Sequence, residues 1–348
     1  MKVIKIIFSV LILIISIVYL TYLYITSFSS FLSYLIENPD KYSIVASVNN
    51  KKICLHNPDK LFPLASTKKI VILIELANQI QSGIIKNEKK ISIQKIDCLY
   101  LKGLDGGAHE KWKEKLYSNS KFDKRYVSLD EVVNGMIEFS SNACTDYIMN
   151  LVTIDSVNKT VLKLGIKMPN EFLFFNSLIL CDSLIMQNSN YNSLKIINKV
   201  IFDKMVDGKI NITNIKPSLE FQELLISKSE KASANDFHQI LETIYNNNAN
   251  KLNVKYVKKH LGWLTQKKDN KKYFKYFGGK GGSLIGIYTY SCYAINNEND
   301  SINLNVFIND MDYIQWWLFQ DSFIKFKNDF CKSKIKRDHI LSELNLSK

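Results

Sequence analysis

The order of elements in this 348-residue chain predicts an α+β fold. An antiparallel sheet would be built from both chain ends, a helical domain inserted between them, and an apolar membrane helix placed ahead of both. Three stretches carry that expectation. Tyr42–Val48 and Lys51–Leu55, joined by Asn49 and Asn50, read as an opening hairpin. A long run of helical patterns follows, from Ser66 to about residue 270. The chain then returns to strand-like sequence at Leu284–Ala294 and Ile302–Ile308 and closes on an aromatic helix, Tyr313–Phe330, with a basic tail.

Lys2 and Lys5 precede an uncharged stretch reaching Ile36, and Ile6–Ile25 spans roughly the 20 residues a membrane helix needs. The lysines predict a cytoplasmic N-terminus. Ser27-Phe28-Ser29 leaves a cleaved signal peptide open. Residues 1–30 are therefore read as a signal-anchor or signal peptide, and residues 31–348 as one exported domain, extracytoplasmic or periplasmic. A helical subdomain of about 67–270 would be inserted in its sheet.

Hydrophobic residues make up 46% and charged residues 23% of the chain, the balance of a globular protein. Its formal charge of +13 is spread over scattered lysines without a basic–aromatic stripe. No nucleic-acid partner is expected; an acidic envelope polymer or lipid surface is the alternative partner for that charge. The six cysteines form no Cys-x-x-Cys and the five histidines no His-Glu-x-x-His, so neither metal nor cofactor is expected. Buried free thiols are expected, and export would permit a disulfide.

Pro63 breaks the chain before a long apolar run, so Ser66 and Lys69 are expected in the first turn of a helix, on one face. A serine needs a base to become a nucleophile, and a desolvated lysine can be that base. The spacing is weak alone: it recurs at Ser92/Lys95, Ser118/Lys121 and Ser333/Lys336, none opening a long apolar helix. The Ser66 helix should stop near Ser82-Gly83. Lys89–Ile93 and Asp97–Leu101 have β-like character. The loop Gly103-Leu-Asp-Gly-Gly-Ala-His109 makes His109 a candidate near the site. Ser128 and Glu131 fit a capping box opening a helix. That helix ends at the polar knot Ser140-Ser141-Asn142, and another apolar helix follows. Ser233–Asp236 starts a further helix, Phe237–Tyr245. Phe277–Ser283, four glycines around Lys280, reads as a flexible turn or a strand edge open to close backbone approach.

Ser66-x-x-Lys69, Ser140-Ser141-Asn142 and Lys280-Gly281-Gly282, in that order, resemble the Ser-x-x-Lys, Ser-Asp-Asn and Lys-Thr-Gly trio of the penicillin-recognising serine hydrolases. The closest resemblance is to the class A β-lactamase-like family, over Tyr42 to the final helix. It implies Ser66 as acylated nucleophile and Lys69 as its base or relay. Ser140 would pass a proton to the leaving nitrogen, in the positive field of Lys280. Asn142 and Gly282–Ser283 would bind substrate, with the backbone N–H groups of Ser66 and Ser283 as oxyanion hole. The implied substrate is a β-lactam or a cell-wall peptide, and the protein a monomer.

The departures set further expectations. Ser141 replaces the family's Asp, and Gly281 the hydroxyl residue that contacts a substrate carboxylate. The loop after the second motif carries only Glu171, wrongly spaced for the deacylating Glu. Asp146 stands where the family has an Asn. The alternatives to a β-lactamase are thus a D,D-peptidase, transpeptidase or esterase, and a catalytically weak pseudoenzyme or binding domain.

Overall fold

The computed structural model of the chain describes residues 2–88, 90–118, 125–181, 190–210, 218–246 and 254–346. Strands β1 (Tyr42–Val48) and β2 (Lys51–His56) form the expected hairpin, turning on Asn49 and Asn50 at φ 49° and 64°. β3 (Leu61–Pro63), β4 (Lys90–Ser92), β5 (Tyr126–Ser128) and β6 (Lys231–Ser233) make two small ladders, β3 with β6 and β4 with β5. β7 (Phe274–Leu284), β8 (Ile287–Asn296) and β9 (Ser301–Ile308) complete a five-stranded antiparallel sheet, ordered β2-β1-β9-β8-β7. β1 lies against β9, so the two chain ends close one sheet.

Both faces of that sheet are covered, and the two-residue period of the strands decides what faces which layer. Val45 and Phe307 belong to the core shared with the helical block. Ile44, Ala46, Leu304 and Val306 point the other way, into a core with the helices of the two termini. There Phe31 packs edge-on against Phe319 and Phe326, with ring centroids 5.5 and 5.9 Å away.

Two helices open the chain, α1 (Lys2–Ile25) and α2 (Phe28–Glu37). Contrary to the expected spanning helix, no single helix among the described residues is long and apolar enough to cross a membrane. Val10–Ile25 and α2 meet that length and composition only as a pair, bent by 54°. The nucleophile helix α3 (Lys69–Gln81) starts three residues later than expected, because Ala65–Lys68 is a 3₁₀ turn. It ends as expected, with Gly83 at φ 75°.

Lys90–Ser92 is a strand as read; Lys89 lies outside the described residues. Asp97–Leu101 is not a strand. Ile93–Asp97 is a short helix, α4, followed by turns, and the three-residue spacing of Ile93, Ile96 and Leu99 buries one face in the core. α5 (Ala108–Tyr117) follows the Gly-rich loop. α6 (Leu129–Asn134) opens on the expected capping box, Glu131 N to Ser128 Oγ 3.2 Å and Ser128 N to Glu131 Oε2 3.0 Å. It winds out through a π-turn, Gly135–Phe139, into the polar knot, after which α7 (Asn142–Val152) and α8 (Ile154–Lys163) continue. A short helix α9 (Phe175–Ile179) ends the loop after the second motif.

The Gly-rich Phe277–Ser283 is strand and not turn; the turn falls at Ile285-Gly286, inside the run read as one strand. The closing aromatic helix breaks into Tyr313–Leu318 and Gln320–Lys332, and the basic tail is itself a helix, Lys334–Glu343.

Candidate active site

Ser66 sits on the 3₁₀ turn at the head of α3, partly exposed, with Ala65 before it at φ 45°. Ser140 also lies in the left-handed region, at φ 73°. Two non-glycine residues held there cost roughly 1–3 kcal/mol each, a strain that surrounding contacts must maintain. Those contacts are present. Thr67 Oγ1 meets Thr289 Oγ1 at 2.7 Å, and Thr289 donates to the Leu64 carbonyl at 3.0 Å, pinning the Ser66 turn to β8. Lys68 is buried in an ion pair with Glu230.

Gly282 brings the edge of β7 against this turn. A Cβ there would run into the Ser66 backbone nitrogen and lie 2.8 Å from Ala65 Cβ. Only glycine allows that approach. Gly281 has more room, with Tyr290 Cδ2 at 3.3 Å from such a Cβ. Ser283 follows, its hydroxyl accepting from Trp316 Nε1 at 3.0 Å.

The three motifs converge. Lys69 Nζ donates to the Ser140 carbonyl at 2.6 Å, to Ser140 Oγ at 3.2 Å and to Asn142 Oδ1 at 3.0 Å. Lys280 Nζ reaches the same Ser140 Oγ at 3.0 Å. Lys69 is wholly buried, and burial followed by the Lys280 charge drives its pKa well below the ordinary lysine value. Burial brings Lys280 down to about 7, with the charge of Lys327 acting in the same direction. Ser66, Ser140, Asn142, Lys280, Gly282 and Ser283 line one cavity of about 690 Å³, a usual size for a small-molecule site.

The remaining candidates stand outside that cavity. His109 is buried behind the knot, with Nδ1 2.9 Å from Ser141 Oγ and Nε2 3.0 Å from Asp97 Oδ1. Ser141 caps α7 through the Cys144 N–H. Asp146 is buried too, accepting the N–H groups of Phe175 at 2.7 Å and Asn176 at 2.9 Å, and burial raises its carboxyl to about 7. It ties down the loop after the second motif. Glu171 is exposed on that loop, 2.7 Å from Lys195, and belongs to the surface.

Three residues of the cavity were not among the expected site residues. Phe175 lines it with its ring centroid 3.7 Å from Lys68 Nζ and 5.2 Å from Lys69 Nζ. Asp105 enters from the Gly-rich loop, its carboxylate accepting from Ala108 N at 3.0 Å and His109 N at 3.2 Å; burial raises its pKa against the opposing charge of Lys69. Lys327 comes from the C-terminal Gln320–Lys332 helix, its Nζ 4.2 Å from the Tyr290 ring centroid. Asp105 was legible as the one charge in a glycine loop. The other two are placed by tertiary packing alone. Among the described residues, no group of three His, Cys, Asp or Glu side chains is placed to hold a metal ion.

This fold and motif set are those of the β-lactamase and transpeptidase-like serine hydrolases. The model of the β-lactamase enzyme family matches residues 29–287, and the chain belongs to that family. No curated protein matches it in sequence. Among solved structures, it is similar to a β-lactamase from Sphaerobacter thermophilus, at 15% identity over 91% of this chain and 98% of that one, TM-score 0.50. It is also similar to a β-lactamase from Chitinophaga pinensis, at 15% identity over 86% and 98%, TM-score 0.51. The extended-spectrum β-lactamase TLA-3 matches at 13% identity over 91% and 98%, also at 0.51.

Proposed function

We propose that the protein is an exported, membrane-attached monomeric serine hydrolase that forms an acyl-enzyme at Ser66 with a β-lactam or a cell-wall peptide. The observation that carries this reading is the meeting of Lys69 and Lys280 on the Ser140 hydroxyl, beside Ser66 in one cavity. Lys69, held toward its neutral form, takes the Ser66 proton as Oγ attacks the substrate carbonyl. The backbone N–H groups of Ser66 and Ser283 stabilise the oxyanion, a contribution of roughly 3–4 kcal/mol per donor. Ser140 gives its proton to the leaving nitrogen and recovers one through Lys69, while Lys280 lowers the cost of negative charge on Ser140. Asn142 holds the substrate amide.

Phe175 favours slow deacylation. Its ring occupies space beside Lys69, and the loop carboxylate Glu171 is on the surface. Water bound there would have no base from that loop. A peptidase, transpeptidase or esterase role is therefore carried alongside β-lactamase activity. The apolar, exposed side chains of α1, such as Ile7 and Phe8, support membrane attachment.

The test is intact-mass spectrometry after exposure to a fluorescent penicillin, with Ser66→Ala as control, and turnover of a chromogenic cephalosporin. A label lost in Ser66→Ala supports the reading. Turnover selects the β-lactamase, and a persistent label selects the peptidase-like alternatives. No label from any acylating probe leaves a pseudoenzyme. Fractionation of cells expressing the full chain tests export and attachment.

A further inference from the structure

On the face of the sheet turned away from the helical block, two thiols lie in contact. Cys292 is on β8 and Cys331 on the Gln320–Lys332 helix packed over it, 39 positions apart in sequence, with their Sγ atoms separated by 3.8 Å. Both side chains are wholly buried in the core that the sheet shares with the terminal helices. Bonded sulfurs stand about 2 Å apart, so a side-chain rotation that moves the sulfurs roughly 2 Å closer joins them. The neighbouring strand leaves Cys292 its space. Gly279 of β7 is the direct cross-strand partner of Cys292, and a Cβ there would stand 2.7 Å from Cys292 Cβ. Among the described residues no third His, Cys, Asp or Glu joins the two sulfurs in a metal-binding group, so the pair suits a disulfide and not a metal ion.

Such a bond would hold part of the active-site wall. Lys327 precedes Cys331 by one helical turn, and Tyr290 precedes Cys292 by two strand positions, so each shares its neighbour's face. Those two side chains also meet, with Lys327 Nζ 4.2 Å from the Tyr290 ring centroid, and Lys327 reaches on into the Ser66 cavity. The same helix rests against the start of the chain, where Ser322 Oγ donates to the Thr26 carbonyl at 2.9 Å and Phe326 meets Phe31.

We propose that Cys292 and Cys331 form a structural disulfide that pins the Lys327 helix to β8. The oxidant is a disulfide donor acting by thiol–disulfide exchange. One cysteine thiolate attacks the donor, forms a mixed disulfide and expels a donor thiolate. The second cysteine thiolate then attacks the protein-bound sulfur, and the other donor thiolate leaves. The two protons lost by the cysteines pass to the donor thiolates; the donor gains the two electrons that the pair gives up. In the folded chain Cys331 is held as a thiol, its pKa pushed up by the hydrogen bond with Cys292 and by burial, whereas the attacking species is the thiolate. The bond therefore closes during folding, before the last helices dock, and is then shielded from reductants. In the cell it rests on the proposed export, which supplies an oxidising compartment.

The test uses the full chain, reduced and unfolded in urea, then refolded in mild detergent with reduced and oxidised glutathione as the donor pair. Free thiols are alkylated and the product is mapped by peptide mass spectrometry. A Cys292–Cys331 cross-link is expected. The oxidised protein should melt about 5 °C above the same chain refolded under reductant. Amide exchange in the Gln320–Lys332 helix should be slowed about tenfold. Both differences should vanish in the Cys292→Ala, Cys331→Ala double variant. Alkylation of both cysteines, a cross-link to a different cysteine, or oxidised and reduced forms that melt and exchange alike would overturn the inference. So would a difference that survives in the double variant. Because glutathione supplies the oxidant, this result stands apart from cell fractionation, and failure of export and failure of the bridge are distinguishable.

Discussion

Lys69 and Lys280 meet on one atom, Ser140 Oγ, at 3.2 and 3.0 Å. Two buried ammonium groups that close repel each other, so the pair favours loss of a proton. Burial lowers the folded pKa of Lys280 to about 7 from the ordinary lysine value of 10.5. The folded state then binds this proton less well than the unfolded chain, and stability rises with pH between those two values. Lys280→Met should therefore be more stable than wild type below about pH 7, by something on the order of 3 kcal/mol. The advantage should shrink as pH climbs toward 10.5, while Ser66 labelling is lost. Urea denaturation of both proteins across that range is the measurement.

Asp146 gives the opposite sign. Its carboxyl is raised to about 7 from 3.8 by burial, so the folded state holds the proton more tightly than the unfolded one. The stability it contributes is fully present below about pH 4 and is lost as pH rises through 7. Asp146→Asn should abolish that slope. It should also lower stability at acid pH by about 1–2 kcal/mol, because one acceptor for the Phe175 and Asn176 N–H groups is gone.

Gly282→Ala and Gly281→Ala form a matched pair. The first forces a methyl into the Ser66 backbone nitrogen and Ala65; the second meets Tyr290 at 3.3 Å and the Thr289 carbonyl at an ordinary contact distance of 3.5 Å. Gly282→Ala should cost roughly 1–3 kcal/mol and suppress penicillin labelling. Gly281→Ala should lose little of either. Thermal melts and gel fluorescence of the label check both.

Phe175→Ala removes the ring beside Lys68 and Lys69 and opens room for water near the acyl-ester. The expected outcome is a shorter-lived label, with melting lowered through a lost cation–π contact of about 0.5–2 kcal/mol and lost packing. Chase experiments with unlabelled penicillin follow the lifetime. An unchanged lifetime would mean that the ring does not control water access.

What the sequence determined by itself was whatever depends on short-range pattern. The β1–β2 hairpin follows from its Asn-Asn turn, the Ser128 cap from the spacing to Glu131, and the motif order from composition at three punctuated sites. The α+β order was legible because strand and helix periods differ. Tertiary structure decided the rest. Asp97–Leu101 is not a strand because the core claims Ile93, Ile96 and Leu99 from one helical face. His109 and Glu171 looked alike as isolated polar residues near a motif. Packing put one behind Ser141 and the other on the surface. Phe175 and Lys327 reach the cavity from the short helix α9 and the Gln320–Lys332 helix, far along the chain from Ser66. No local pattern marks such residues: a side chain's neighbours across more than a hundred residues are fixed by how the layers close, and the charge it then meets is a property of that closure.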